Sequence, residues 1–579
     1  MRIVVVADGD GGGALQELDE CGRPLGPAVL VADLAAAVRD RDEGTRWVWA
    51  DGAVIYPGLL ERGVRVGRCH DLALTEGLLL AHEGRFGEPA WLGAAWARLR
   101  GLPPPEAPHR DPRDAPPTLF SATPVALPDL PAGTGAVPSP SADGDRAERL
   151  IEPVREVYAD QLRRVAATAR PGRFRLLVAA ESAGGLAAAE MGHDGLPWSA
   201  EAHDAVLTEA LGPRPVGGAR PRRLAELAEA ISGAFGRRVN PDSPAQVLKA
   251  FSAAGVSVRT TRSTELRRVD HPAVKPLLEY KELARLHAAH GWAWRDAWVT
   301  GGRFRPEYVV GGVVSGRWAT RGGGALQIPK AMRRAVVADP GWALVVADAG
   351  QVEPRVLAAL AGDRGLADAA ASGDLYAALA PAFGGDRARA KIALLAAMYG
   401  QTGGEAGRLL GELRGRFPRA FGYVDAAARA GEQGRVVASH LGRTCPPPSQ
   451  GWRETVAGPA DPGAGDAEDE IGAAGAAARS RGRFTRNFVV QATAAEWALV
   501  LLVTLRRRLA RHAGPGDDPP RLVFYQHDEV IVHCPRPLAD AVAADVLAAA
   551  DEARDLVFGA TSVRFPLDTS IVNCYADAK

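Results

Sequence analysis

Two aspartates, a lysine and an arginine carry the chemistry that can be read from this sequence. Asp348 ends the apolar run Leu344–Ala347, which reads as a buried strand. Asp528 and Glu529 lie between two further apolar runs, Val523–Tyr525 and Val530–Val532, a pattern that predicts a hairpin with the acids at its tip. Between these stretches, residues 386–399 have helical character. Arg387 and Lys391 stand at i and i+4 and share a face, with Tyr399 two turns further on and Gly400 after it. Magnesium prefers a few carboxylates plus phosphate and water oxygens over a closed protein cage. Two such ions about 3.5–4 Å apart clamp the attacking and leaving oxygens of an in-line phosphoryl displacement. An arginine and a lysine one turn apart suit a polyphosphate. The set is the equipment for moving a nucleotidyl group with two metal ions.

Taken singly, these features are ordinary. An aspartate at a strand end is usually a cap, an Arg/Lys pair on a helix is usually a solvated face, and His-Asp-Glu is a common polar turn. Their order and their flanking residues carry the signal. Roughly residues 175–579 resemble the family A DNA polymerases, the bacterial DNA polymerase I type. The stretch Asp348-Ala349-Gly350-Gln351-Val352-Glu353-Pro354-Arg355 is similar to that family's motif A, Asp-Tyr-Ser-Gln-Ile-Glu-Leu-Arg. Arg387, Lys391, Tyr399 and Gly400 have the spacing of motif B, and His527-Asp528-Glu529 is motif C. Ser315-Gly316-Arg317 and Leu326-Gln327-Ile328-Pro329 resemble the block ahead of motif A. Arg483, Asn487 and Gln491-Ala492-Thr493-Ala494-Ala495 resemble the helix ahead of motif C, and Glu279–Ala284 resembles a thumb segment. Within the family the chain looks most like the short actinobacterial proteins described as bifunctional 3′–5′ exonuclease/DNA polymerases.

The resemblance implies roles by position. Asp348 and Asp528, with the Ala349 carbonyl, would hold two Mg2+ ions, and Glu529 would be a supporting acid. Arg387 and Lys391 would meet the triphosphate of the incoming deoxynucleotide, Lys391 also giving a proton to pyrophosphate. Tyr399 would back the nascent base pair, Glu353 would block a 2′-hydroxyl, and Gln351 and Leu395 would lie on the nucleotide side. Arg317, Arg483, Asn487, Gln491 and His527 would touch the primer–template. Those contacts check geometry and read no sequence, because minor-groove acceptors are nearly degenerate. The chain has six lysines (249, 275, 281, 330, 391 and 579) among 69 basic residues. A lysine kept at 391 suits chemistry that needs an ammonium able to give up a proton. The pattern also departs from the family. Ala349, Gly350 and Pro354 replace Tyr, Ser and Leu, Leu395 stands where Phe or Tyr is usual, and no Asn precedes Pro329. These changes bear on rate and sugar discrimination more than on reaction type.

The expected architecture is multidomain α/β, with an exonuclease-like α/β module followed by a right-hand polymerase of thumb, antiparallel-sheet palm and helical fingers. Residues 1–103 read as a degenerate 3′–5′ exonuclease-like domain, with strands at Ile3–Ala7 and Arg46–Ala50 and helices at Asp71–Glu83 and Pro89–Arg98. Residues 104–146 read as a Pro/Ala-rich linker, and 147–300 as connecting helices and thumb. The palm would take 301–362 and 483–579, and the fingers 363–446. Residues 447–482, poor in large apolar side chains after Trp452, read as a disordered insertion. No Asn-x-x-x-Asp or Tyr-x-x-x-Asp occurs in the first hundred residues, so exonuclease activity is expected to be absent. The alternative is a reduced metal site of Asp8, Asp10 and Asp71.

Composition sets outer bounds. The 579 residues allow several domains, and 47% hydrophobic content is globular. With 69 basic and 69 acidic residues the net charge is zero, so any basic surface for DNA must be local, for example at Arg262, Arg267 and Arg268. The cysteines (21, 69, 445, 534, 574) have no metal spacing and read as reduced thiols of a cytoplasmic chain. The N-terminus opens on strand-like Ile3–Val6 with no charged leader, and no membrane span is expected. The expected partners are primer–template DNA and deoxynucleoside triphosphates, bound by a monomer.

Overall fold

The computed structural model describes residues 1–105, 143–324, 328–400, 405–457, 467–514, 518–526 and 528–578. Near the N-terminus, valine-rich β1 (Arg2–Ala7) pairs antiparallel with β2 (Gly13–Leu18) and parallel with β4 (Arg46–Trp49). With β3 (Val29–Val31) and β5 (Cys69–Asp71) the sheet order is β3-β2-β1-β4-β5. Helices α1 (Gly52–Glu61) and α2 (Leu72–His82) follow β4 and β5, each started by an aspartate cap, Asp51 and Asp71. The expected helix at Pro89–Arg98 begins at Leu92 instead, with Trp91 as its flanking residue.

This sheet is tied to the rest of the chain by a buried ionic knot. Glu190, on α3 (Pro171–Asp194), accepts from Tyr56 of α1 at 2.5 Å and from Arg506 at 2.7 and 2.8 Å. Arg65 joins through Asp194 at 2.5 Å. Burial alone would push the Glu190 carboxyl up, but the Arg506 guanidinium outweighs it and holds it below its usual value.

The second sheet is antiparallel throughout. β6 (Trp342–Ala349) lies between β8 (Glu529–Pro535) and β9 (Leu567–Val572), with β7 (Arg521–Gln526) at the far edge of β8. Both faces of β6 are covered, which is why Leu344–Ala347 is an unbroken apolar run. Ala343, Val345 and Ala347 face a core that includes Trp497 and Leu501. Leu344 and Val346 face Phe524, Ile531 and Tyr575. After β6 come α4 (Val352–Ala361), α5 (Leu375–Leu379), α6 (Arg387–Tyr399) and α7 (Pro418–Glu432). On the Leu344 and Val346 side, Arg222–Ala234, Pro244–Ala253 and Val274–His290 contribute to the same core. The Pro244 helix is capped by Ser243, whose side chain accepts from the Gln246 N–H.

The disordered insertion expected at 447–482 is corrected where it is described. Residues Gln450–Ala457 form a helix, and the long α8 (Ala467–Leu509) begins well before Arg483. Alanine has the highest helix propensity, so an Ala-rich stretch with few large side chains extends a helix once something holds it. Here Trp452 does so: its indole N–H donates to the Ala477 carbonyl at 3.1 Å, and Arg481 lies over its ring. Residues 458–466 fall outside the described part. Of the expected linker 104–146, residues from Asp143 start a helix reaching Ala167, and 106–142 are outside the described residues. The segment Gly472–His512 is long and apolar enough for a membrane span by length and composition, but 89% of its apolar window is buried inside the protein. It is a core helix.

Candidate active site

The two aspartates meet at one end of the antiparallel sheet. Asp348 is the penultimate residue of β6, directly opposite Glu529 of β8 and Asp568 of β9. Opposed residues in an antiparallel pair share a face, so three carboxylates form a row across the sheet. The Ala349 N–H donates to the Asp528 carbonyl at 3.0 Å, joining the β7–β8 turn to the end of β6. Burial, followed by the negative charge of Asp348, raises the Asp528 carboxyl to about 6, against the opposing pull of Arg317. A desolvated carboxylate facing a like charge is a position that a divalent cation would relieve. Asp348, Asp528 and the Ala349 carbonyl therefore suit a metal in donor chemistry. Among the described residues no group of three or more His, Cys, Asp or Glu side chains is arranged to hold one unaided.

Glu529, expected as a supporting acid at the hairpin tip, is instead a buried strand residue. The Tyr575 hydroxyl donates to its Oε2 at 2.7 Å, and Arg333 reaches the same oxygen at 3.5 Å. The Arg333 guanidinium also lies 4.3 Å from the centre of the Tyr575 ring. The acid anchors the C-terminal segment beneath the aspartates.

The helix carrying the basic residues is defined at both ends. Asp386 caps α6 by accepting from the N–H groups of Ala388 and Arg389 at 2.8 and 3.1 Å. At the other end Gly400 takes φ +69, a left-handed C-cap that glycine adopts without strain. Arg387, Lys391, Leu395 and Tyr399 follow a stride of four and line one face. Arg387 and Lys391 are exposed, and among the described residues no side chain pairs with Lys391; Leu395 is half-buried. The Tyr399 hydroxyl donates to Glu353 at 2.5 Å, and Arg317 pairs with the other Glu353 oxygen. Burial and the Glu353 carboxylate together raise the Tyr399 phenol above its usual range. Arg317, expected at DNA, is thus held by Glu353, in a loop turned by Gly316 at φ +84.

Motif A turns on one residue. Gln351 is the single non-glycine residue with positive φ (+61) among those described. Its amide donates to Asp374 at 2.7 Å and accepts from the Leu375 N–H at 2.8 Å and from Arg355 at 3.1 Å. Expected on the nucleotide side, Gln351 is instead bound internally and fixes the turn. Arg355 is fully buried and donates to the carbonyls of Gly350, Ala370, Ser372, Gly373 and Arg564.

Arg483, Asn487 and Gln491 keep their stride of four on α8, with Arg483 exposed and the other two half-buried. His527, Leu326 and Gln327 lie outside the described residues. Sequence reading missed several participants: Asp374 and Tyr376 beside Arg387, Asp568 beside Asp348, Arg333 and Tyr575 on Glu529, and Arg486. Arg486 is buried and joins Ala397 and Met398 at the end of α6 to Asp425 of α7. Its only signal was a charged residue one turn before the apolar pair Val489 and Val490.

Residues 219–573 match the sequence model of DNA polymerase family A. The chain belongs to that family. Curated relatives include DNA polymerase I of Chloroflexus aurantiacus, 28% identical over 329 residues, covering 52% of this chain and 32% of the relative. They also include the thermostable DNA polymerase I of Thermus aquaticus, 26% identical over 310 residues, covering 48% of this chain and 34% of the relative. The chain therefore spans about a third of the length of these family A relatives. Among solved structures, the polymerase domain of Pol1 from M. smegmatis, in complex with DNA primer-template and dNTP, superposes with a TM-score of 0.69. It covers 99% of this chain and 95% of that one at 17% identity, a likeness of fold. The family A polymerase fold accounts for the antiparallel sheet and the helices around it.

Proposed function

We propose that this chain is a DNA-directed DNA polymerase that adds deoxynucleotides to a primer 3′ end by two-metal nucleotidyl transfer. The observation that supports this most is the pairing of Asp348 and Asp528 at one sheet end, together with a neighbouring helix that presents Arg387 and Lys391. Asp348, Asp528 and the Ala349 carbonyl would hold two magnesium ions, which supply charge neutralisation at the α-phosphate and activation of the 3′-hydroxyl. Arg387 binds the triphosphate through its guanidinium fork, and Lys391 places an ammonium beside the leaving pyrophosphate as charge partner and proton donor. Tyr399, fixed by Glu353, offers a flat surface for the nascent pair, and Glu353 occupies the space a 2′-hydroxyl would need. Arg483, Asn487 and Gln491 form a polar row for the duplex, with binding dominated by phosphates and weakened by salt.

The test is primer extension on a gapped duplex with magnesium and all four deoxynucleotides, with Asp348→Asn and Asp528→Asn alongside. Extension by the native protein and by neither variant supports the reading. Duplex binding without extension by the native protein sinks it and leaves a DNA-binding relative. We propose gap filling in repair as the setting for this activity.

We further propose that residues 1–103 are an exonuclease-like module without an active site. Asp71 supports this: its carboxylate accepts from the N–H of Leu74 at 3.0 Å and of Gly52 at 2.7 Å, which makes it a cap shared by α2 and α1. Burial, and then the charge of Asp51, push it up to about 7. Asp8 accepts from the Asp10 N–H at 2.9 Å in a local turn. Metal-dependent shortening of a labelled, mispaired primer would overturn this part.

A further inference from the structure

We infer that Asp374 is a positioning residue that presents the Arg387 guanidinium to the triphosphate of the incoming nucleotide. The inference rests on the reading of Arg387 as a triphosphate ligand and assigns it a partner outside the three sequence motifs. Asp374 lies 13 residues before Arg387, as the cap of the short helix α5.

The two carboxylate oxygens of Asp374 have separate work. Oδ1 accepts from Gln351 Nε2 at 2.7 Å and from the N–H groups of Tyr376 and Ala377 at 3.0 and 3.1 Å. Those contacts cap α5 and tie it to the left-handed turn that follows Asp348. Among the described residues Oδ2 accepts from Arg387 Nε alone, at 2.6 Å. The Arg387 guanidinium also lies 5.7 Å from the centre of the Tyr376 ring, whose own side chain is buried. Among the described residues the two terminal nitrogens of Arg387 make no hydrogen bond. The side chain is therefore held by its inner nitrogen and by a ring, while the outer fork stays open. That is the half of a guanidinium that binds phosphate bidentately. An exposed arginine otherwise gives up rotamer freedom on being fixed, and fixing it beforehand lowers that loss at the moment of binding.

The electrostatics agree with this geometry. Burial would push the Asp374 carboxyl up, but Arg387, the Ala377 N–H and Gln351 hold it down at about 2. It is therefore charged at every working pH. Through Gln351 the same carboxylate joins the loop after Asp348 to the helix that carries Arg387, so one side chain sets the registration of the metal-side and phosphate-side groups.

The separation of the two oxygens gives a clean variant. Asp374→Asn keeps an oxygen at Oδ1 for the cap and for Gln351, and replaces only the acceptor used by Arg387. The expected result is a rise in KM for deoxynucleotide of about five- to tenfold, with kcat within about twofold and melting temperature near that of the native protein. In an Arg387→Ala background the same substitution should add nothing, because Oδ2 then has no partner. An unchanged KM, or an equal rise in the Arg387→Ala background, overturns the inference. Calorimetric titration of the native protein and the three variants with a magnesium–deoxynucleoside triphosphate needs no turnover. There Asp374→Asn should weaken binding by a similar factor only when Arg387 is present; equal affinities overturn the inference. If the native protein extends no primer, the polymerase reading fails, and the titration still decides the role of Asp374.

Discussion

The Ala349 N–H donates to the Asp528 carbonyl at 3.0 Å, so the turn that carries one candidate metal carboxylate is bonded to the strand end that carries the other. The separation of Asp348 and Asp528 is thus set by backbone geometry and does not depend on flexible side chains. Replacing either carboxylate by its amide keeps size and backbone and removes the charge that holds a cation. Asp348→Asn and Asp528→Asn should each lower primer extension by about a thousandfold or more, while the protein still folds and binds duplex. Magnesium titration followed by melting temperature supplies the second readout: the ion should stabilise the native protein and have a smaller effect on either variant. Equal stabilisation of all three would place the metal elsewhere.

The strands around these aspartates were legible because their burial shows in the sequence. Val345–Ala347 and Val530–Val532 are continuous apolar runs, and a strand buried on both faces needs one. The fate of single polar side chains was not legible, since it depends on partners far along the chain. Glu529 is taken by Tyr575, 46 residues later, and Gln351 by Asp374 and Leu375. None of these three partners belongs to a recognisable motif. The helical character of 467–482 was missed for a different reason. Low hydrophobicity there signals lack of core contact, but alanine needs little contact to stay helical, and one tryptophan supplies it.

Stability should depend on pH through Glu496. Burial pushes this carboxyl up to about 7, against the hydrogen bonds from Ser439 and the Leu441 N–H that favour the ionised form. The folded state therefore holds a proton that the unfolded chain has released between about pH 4.5 and 7. Stability falls as pH rises through that window and levels off above it. Glu496→Gln should remove this component, so the melting temperature of the variant relative to the native protein should rise from pH 5 to pH 8. The raised Asp71 carboxyl is common to both proteins and cancels in the difference. A difference that stays constant with pH would show that Glu496 is ionised throughout.

Leu395 lies between Lys391 and Tyr399 on the face of α6 that would meet the sugar. An aliphatic side chain supplies no hydrogen-bonding group to stand in for a missing 3′-hydroxyl. The native protein should therefore favour deoxy over dideoxynucleotides by about tenfold or more in kcat/KM, and Leu395→Tyr should narrow the ratio. Single-nucleotide incorporation with matched deoxy and dideoxy substrates measures both. Equal use of the two by the native protein would remove Leu395 from the sugar site.

Arg486 tests whether α6 is held in place from behind. Its guanidinium is buried, and it donates to the carbonyls of Ala397 and Met398, the last turn of α6, while pairing with Asp425 of α7. Backbone carbonyls at a helix C-terminus have no partner within the helix, and a cation there satisfies them and the helix dipole together. Arg486→Ala would leave two carbonyls and a carboxylate short of partners in a poorly hydrated site. The expected loss is about 3 kcal/mol, seen as a fall of several degrees in melting temperature. Arg486→Lys should recover little of it, because a point charge cannot reach both carbonyls and Asp425 as a planar fork does. Since Tyr399 and Gly400 follow the carbonyls that Arg486 holds, nucleotide KM should rise in both variants even at temperatures where they remain folded. A variant that loses stability but keeps its native KM would show that the anchor supports the fold alone and that the α6 face is set by Asp386 and Asp374.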